Sequence, residues 1–340
     1  MKTITAHEHE LIQSAIGEGL TALGEAVLEK DLLITQVLQV VQASDKDGVG
    51  LVFCGGTCLS KAYGLIDRMS EDIDFKLVVP QGLSLSACSK VLSQYKKRLV
   101  RDLMHAGFDV PADEVVASAG NNYVSMNLYY ESCFPQIASL RPAIKLELSA
   151  RPPLLPTVLR SIDSMLNSLI QAPSLDLQVE CVSVDETLAE KVLSFLRRTA
   201  EMRAGRNRVE YDDRLVRHLY DVRAISLGRG EMPLPTEHFV TLVAGDAAQY
   251  RNQYPEFDHD PVGQMRSVLD VLNHDASTFE RDYQQFVDEL VFGEPVLFDE
   301  ARSVFVELAE RFLSAMSTSQ KSRNALQRMA DNARELGLDY

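Results

Sequence analysis

The spacing of hydrophobic and polar positions changes character once along the chain, near its middle. Leu11, Ile12, Ala15, Leu20, Leu23, Val27 and Leu32 recur near the helical period, so Glu8 to Gln42 is predicted to be helical. Asp45-Lys46-Asp47-Gly48 breaks that pattern, and the apolar run Val49 to Cys54 leads into Gly55-Gly56, as a buried strand entering a tight turn does. A short helix is expected over Cys58 to Leu65, a second strand over Asp72 to Val79, and a long amphipathic helix over Ser84 to Ala106. Strands follow at Tyr123 to Tyr130 and at Ala143 to Ser149. In the latter, Ile144, Leu146 and Leu148 alternate with Lys145, Glu147 and Ser149. Pro152, Pro153 and Pro156 stop it. A helix over Val158 to Gln171 and a strand over Leu177 to Val182 complete the first half.

From Ser183 onward the helical period takes over. Ser183 and Glu186 stand in capping-box register before the apolar stripe Leu188, Val192 and Leu196. The pattern therefore predicts an α+β (mixed α/β) fold: residues 1–182 as a domain with a central mixed sheet and flanking helices, and residues 183–340 as a helical domain.

At 340 residues, 46% of them hydrophobic, the chain can build cores for two domains. No window reaches the roughly 18 apolar residues of a membrane span. Met1 to Ala15 is polar and lacks the apolar core of a signal peptide, so the expected location is the cytoplasm. Five scattered cysteines, at 54, 58, 88, 133 and 181, do not make a disulfide framework. The Cys54/Cys58 pair has no second pair to complete a zinc site. A net charge of −15 excludes a protein that coats nucleic acid through a general positive field. It leaves room for a local patch. Arg197, Arg198, Arg203, Arg206 and Arg208 either grip an RNA backbone or form a solvated helix face. The sequence has neither a Walker lysine motif nor a Gly-x-Ser-x-Gly elbow.

The candidate chemistry lies between Phe53 and Leu77. Two glycines at a strand end let a phosphate approach the backbone, a following helix offers N–H groups, and Thr57, Ser60 and Lys61 can add donors and charge. Asp72 and Asp74, two apart on a strand, project from one face and repel each other unless a cation intervenes. Oxygen ligands of this kind suit Mg²⁺ or Mn²⁺. Glu147 supplies a third carboxylate from another strand, as two-metal phosphoryl transfer requires. Taken singly, each piece has a plainer reading: a turn, a solvated strand face, a Lys145–Glu147 surface pair.

The run Gly55-Gly56-Thr57-x-Leu59-Ser60-Lys61, continued by Arg68-x-Ser70-x-Asp72-x-Asp74-Phe75, resembles the first motif of the AbiEii/AbiGii nucleotidyltransferase toxins. These are toxin components of type IV toxin–antitoxin and abortive-infection (phage-defence) systems within the DNA polymerase β-like superfamily. Lys145-Leu146-Glu147 is similar to the second motif, Leu188-Ala189-Glu190-Lys191 to the third, and Arg217-His218-Leu219-Tyr220-Asp221 to the fourth. His218 departs from the pattern, standing where the family usually has an Asp. Segments Arg281-Asp282-Tyr283 and Phe298-Asp299-Glu300 resemble the helical C-terminal region, and the stretch beyond about Leu313 has no counterpart.

The resemblance implies a bilobed nucleotidyltransferase with its site in a central cleft. Asp72, Asp74 and Glu147 would hold metal; Asp221 joins them as a catalytic residue. Gly55, Gly56, Thr57, Ser60, Lys61, Lys145 and Lys191 would bind the nucleoside triphosphate (NTP). It implies an RNA acceptor, foremost the tRNA 3′ end, and a cognate antitoxin such as a winged-helix regulator. Read without the family, Lys191 is a lysine covering apolar surface, and Asp221 a surface acid or a partner for Arg217 or Arg223. Two other functions stay open at this stage: nucleotide transfer to a protein hydroxyl, and a catalytically silent nucleotide-binding module.

Overall fold

The computed structural model describes residues 1–137, 140–206 and 212–335, with side chains of the last helix as far as 317. The chain divides into two compact units: Met1–Thr187 with Glu289–Pro295, and Leu188–Asp288 with Val296–Tyr340.

The first unit is built on seven strands: β1 (Gly50–Cys54), β2 (Asp72–Val78), β3 (Val116–Ser118), β4 (Tyr123–Tyr129), β5 (Ala143–Ser149), β6 (Val158–Ser161) and β7 (Gln178–Cys181). They form one mixed sheet in the order β3-β4-β5-β2-β1-β7-β6. The centre of the sheet sets the geometry that matters. β2 and β5 run parallel, with Asp72 opposite Lys145 and Asp74 opposite Glu147. β1 is antiparallel to β2 and puts Cys54 beside Asp74. Alternation fixes the faces: Ile73, Phe75, Ile144, Leu146 and Leu148 are buried, while Asp72, Asp74, Lys145 and Glu147 share the opposite, part-exposed face. Each buried aliphatic or phenylalanine side chain contributes roughly 1.5–3 kcal/mol, so a slip of one residue in β2 or β5 is strongly disfavoured.

Among the described residues this unit also carries the helices α1 (Ala6–Gly17), α2 (Glu25–Ala43), α3 (Gly55–Lys61), α4 (Leu85–His105) and α5 (Met165–Leu169). Thr5 and Glu8 close a capping box on α1, and Ser84 caps α4, whose Leu92, Tyr95, Leu99 and Leu103 are buried along one stripe. The later segment Glu289–Pro295 returns to this unit. Met69 N donates to Leu290 O, and Phe292 N donates to Asp67 O, just ahead of β2.

The second unit is helical. Its elements are most of α6 (Val184–Arg203), then α7 (Arg217–Arg229), α8 (Thr236–Tyr250), α9 (Pro255–His259), α10 (Pro261–His274), α11 (Ser277–Leu290) and α12 (Phe298–Glu335). Aromatic packing forms its core: Phe195 meets Phe279 and Phe305, and Phe239 stacks on Phe312. Among the described residues no helix is long and apolar enough to cross a membrane.

Four local expectations change. The helix expected over Glu8 to Gln42 is two helices, interrupted at 18–24, where Gly19 has φ +68°. The glycines of the first motif open α3 instead of preceding it. Val158 to Gln171 is not a helix: Val158–Ser161 pairs with β7 as an edge strand, and one turn of helix, α5, follows. Ser183 accepts from Glu186 N as a cap, but the Glu186 carboxylate turns inward, to Lys76 and to the amides of Leu154 and Leu155.

Candidate active site

The part-exposed face of β2 and β5 gathers four of the predicted residues: Asp72, Asp74, Lys145 and Glu147. Arg141, on the approach to β5, sets its guanidinium 2.6 Å from Asp72 Oδ1. Lys145 pairs with Glu147, and Tyr123 on β4 donates its hydroxyl to Glu147 Oε1 at 2.6 Å. Burial raises the Asp72 carboxyl above its ordinary range, against the pull of Arg141 and Lys145. Burial also pushes Glu147 up. There the hydrogen bonds from Lys145 and Tyr123 outweigh it, so Glu147 is held below the ordinary range, with Asp74 also among its hydrogen-bond partners.

Arg141 is held from behind. Its N–H donates to Glu71 Oε2 at 2.8 Å, and its carbonyl accepts from Lys30 Nζ at 2.5 Å. Lys30 and Glu71 are themselves paired at 2.6 Å in the interior. Neither Arg141 nor Tyr123 is marked by spacing or motif; only the strand register brings them to the acids.

The Gly-Gly turn has a steric reason of its own. Gly55 has φ +79°, and a Cβ there would overlap the Asp74 carboxylate. A Cβ on Gly56 would crowd Arg68 Nη2 and Ser70 Oγ, both at 2.7 Å. Thr57 is buried, and its hydroxyl bonds to Ser70 Oγ at 3.0 Å and to the Asp72 carbonyl. It thus ties α3 to β2. Lys61 does not reach toward the acids, because its ammonium is sealed in an ion pair with Asp31 (2.6 Å) and bonded to Thr35 Oγ1 at 2.8 Å. Ser60 and Lys61 line a cavity of about 670 Å³, alongside Ser161, Asp163, Ser164 and Phe292; the acids of β2 and β5 do not border it.

In the helical unit the third- and fourth-motif residues meet: Lys191 Nζ lies 2.7 Å from Asp221 Oδ2, both buried. Of the two sequence readings of Asp221, the surface acid is excluded, because the residue is buried and paired with Lys191. Arg223 pairs instead with Glu300. His218 stands in the first turn of α7. The arginine cluster is dispersed. Arg197 is buried between Asp246 and Glu201 and stacks on Tyr250, so it cannot grip RNA as expected. Arg198 pairs with Asp212 and Arg206 with Glu256; Arg203 is exposed; Arg208 lies outside the described residues. Among the described residues no three His, Cys, Asp or Glu side chains are spaced as a metal centre.

Comparison with known proteins bears on the fold and on the family. Among solved structures the chain is similar to MenT4, a nucleotidyltransferase toxin from Mycobacterium tuberculosis H37Rv, with a TM-score of 0.53 and 18% identity over 95% of this chain and 98% of that one. At that identity the likeness establishes the fold. A comparison with curated proteins finds no match. Residues 39–307, which include the Gly-Gly turn, the β2 and β5 acids and the Lys191–Asp221 pair, match the family described as "Nucleotidyl transferase AbiEii toxin, Type IV TA system". With four-fifths of its length matched and the fold of a nucleotidyltransferase toxin, the chain belongs to the AbiEii family and is a nucleotidyltransferase toxin of the type IV toxin–antitoxin class.

Proposed function

We propose that the protein transfers a nucleoside monophosphate from an NTP to an RNA hydroxyl, foremost the 3′ end of tRNA, and so blocks growth until its antitoxin intervenes. The observation that carries this reading is the parallel register of β2 and β5, which sets Asp72 and Asp74 against Lys145 and Glu147 on one part-exposed face. The acceptor oxygen bonds to the α-phosphorus, the α–β bridging P–O bond breaks, and pyrophosphate leaves. The hydroxyl proton leaves to water as the new P–O bond forms. Lys145, part-exposed in its pair with Glu147, offers its ammonium to the phosphates. Gly55 and Gly56 keep the turn clear of side chains, so Asp74 can lie over it.

The donors suit a hard divalent cation by their chemistry, although with Arg141 and Lys145 set against them they are not spaced as a metal centre. Asp72, Asp74 and Glu147 present only oxygen, and the charges now set against them, on Arg141 and Lys145, sum to that of Mg²⁺ or Mn²⁺. Bound there, the ion would polarise the attacking hydroxyl and neutralise the departing phosphate charge. Lys191 and Asp221 enter the proposal through the family motifs they occupy, and a winged-helix antitoxin and a cytoplasmic site of action enter on the same footing.

The test is incubation with each labelled NTP, Mg²⁺, total tRNA and a protein extract, followed by ribonuclease. Label in ribonuclease-sensitive material is expected. Label in ribonuclease-resistant protein bands would move the acceptor to a protein hydroxyl. No transfer with any nucleotide would leave a silent binding module.

A further inference from the structure

We propose that Arg141 is a phosphate-binding residue whose guanidinium is parked on Asp72 and passes to the triphosphate when nucleotide arrives, freeing Asp72 for the divalent cation. This rests on the reading of Asp72 as a metal-holding residue.

Three observations lead to it. First, the main chain of Arg141 is clamped on both sides, its N–H by Glu71 and its carbonyl by Lys30, and the clamp is a buried ion pair. The residue's position is therefore fixed even when its side chain changes partner. Second, the side-chain contact itself is open. Arg141 is 27% exposed and Asp72 36%, whereas the Lys30–Glu71 pair behind them is 0% and 4% exposed. An incoming anion can compete for this guanidinium and cannot reach the clamp. Third, the guanidinium nitrogen held 2.6 Å from Asp72 Oδ1 takes up one acceptor site of that carboxylate and sets a positive charge against an arriving cation, so metal loading favours release of Arg141. A planar guanidinium with five N–H donors is the group that phosphate oxygens bind in bidentate fashion, so the released side chain has a ready partner in the same ligand. Lys145 stands in the same relation to Glu147, but its main chain has only the ordinary ladder of β5.

The exchange predicts opposite effects on two ligands. In Arg141→Gln, Mn²⁺ affinity in the absence of nucleotide, read by electron paramagnetic resonance of the free ion, should tighten about fivefold as the competing cation is lost. Affinity for an α,β-methylene NTP analogue, read by calorimetry on the full chain, should weaken about tenfold. Arg141→Lys, which keeps the charge and loses the fork, should leave Mn²⁺ binding within about twofold and weaken the analogue by about threefold. If Arg141→Gln does not fold, the Lys variant carries the test alone, and unchanged analogue affinity in it overturns the proposal. A structural role for Arg141 would weaken both ligands together. Mn²⁺ binding that is abolished by Asp72→Asn yet unchanged or weakened by Arg141→Gln overturns the exchange and spares the metal reading. No Mn²⁺ binding by the unaltered protein even with the analogue present overturns both.

Discussion

Asp72, Asp74 and Lys76 project from the same face of one strand, yet they lead different lives. Lys76 is sealed against Glu186, itself fully buried, whereas two and four residues away the acids are part-exposed: Asp72 meets Arg141, and Glu147, opposite Asp74, meets Lys145 and Tyr123, through partly open contacts. The sealed class also includes Lys30–Glu71, Lys61–Asp31 and Lys191–Asp221. A sealed pair cannot exchange its partner, and removing one member strands a charge in the interior, so it acts on stability. An open pair can be replaced by a ligand, so it acts on chemistry. Burial, more than residue type, separates the two roles, and that is why Lys61 moves from the expected phosphate set to the framework.

The contrast can be broken most severely at the clamp. Lys30→Met should destabilise the fold by about 3–5 kcal/mol in urea unfolding, because Glu71 keeps a buried, unpaired charge. The double variant Lys30→Met with Glu71→Leu should recover only part of that loss, because the Arg141 N–H and carbonyl lose their partners in it. Equal loss in single and double variants would show that no charge is stranded in the single one.

The same logic sharpens the position of Lys191. Lys191→Met should cost about 3–5 kcal/mol, and adding Asp221→Leu should restore stability. If the two residues also serve the reaction, as their motifs imply, nucleotide transfer stays lost in the refolded double variant. Recovery of activity together with stability would confine them to structure. Next in size is Gly55→Ala. The left-handed backbone costs about 1–2 kcal/mol for a residue with a Cβ, and the Cβ must also displace the Asp74 carboxylate. Transfer should therefore fall by more than the melting temperature alone explains.

The smallest expected effect is on pH dependence. Glu147 is held below the ordinary carboxylate range, so its ionised form stabilises the fold above that range, and the contribution disappears as pH falls through its folded value. Tyr123→Phe removes one hydrogen bond to that ionised form, about 1 kcal/mol at neutral pH. The gap between variant and parent should close on acidification, with acid unfolding of the variant beginning at the higher pH. A gap that is constant with pH would mean that Tyr123 acts by packing.

What the sequence could reveal follows from the range of the forces. β5 is read to the residue, Ala143–Ser149, because strict alternation is a local signal, and β2 is read to within one position. β6 is missed because only its pairing with β7 makes Val158–Ser161 a strand, and β3 because three exposed residues carry no periodicity. The charged triplet Glu29-Lys30-Asp31 looks like helix surface, yet all three side chains are buried by partners far along the chain, at Cys133, Glu71 and Lys61. Arg141 is hidden for the same reason. It meets Asp72 across 69 positions, through a parallel register that no local pattern specifies. The acids themselves were legible, since Asp-x-Asp on a strand after Gly-Gly states its own geometry.

The most direct test of the account is label transfer from NTP to RNA by the protein carrying Asp72→Asn and Asp74→Asn together, beside the parent and at matched fold stability. The account predicts a loss of at least about a thousandfold in transfer, and of growth arrest with it, while the melting temperature stays within a few degrees. Transfer or growth arrest that survives the double substitution would contradict it.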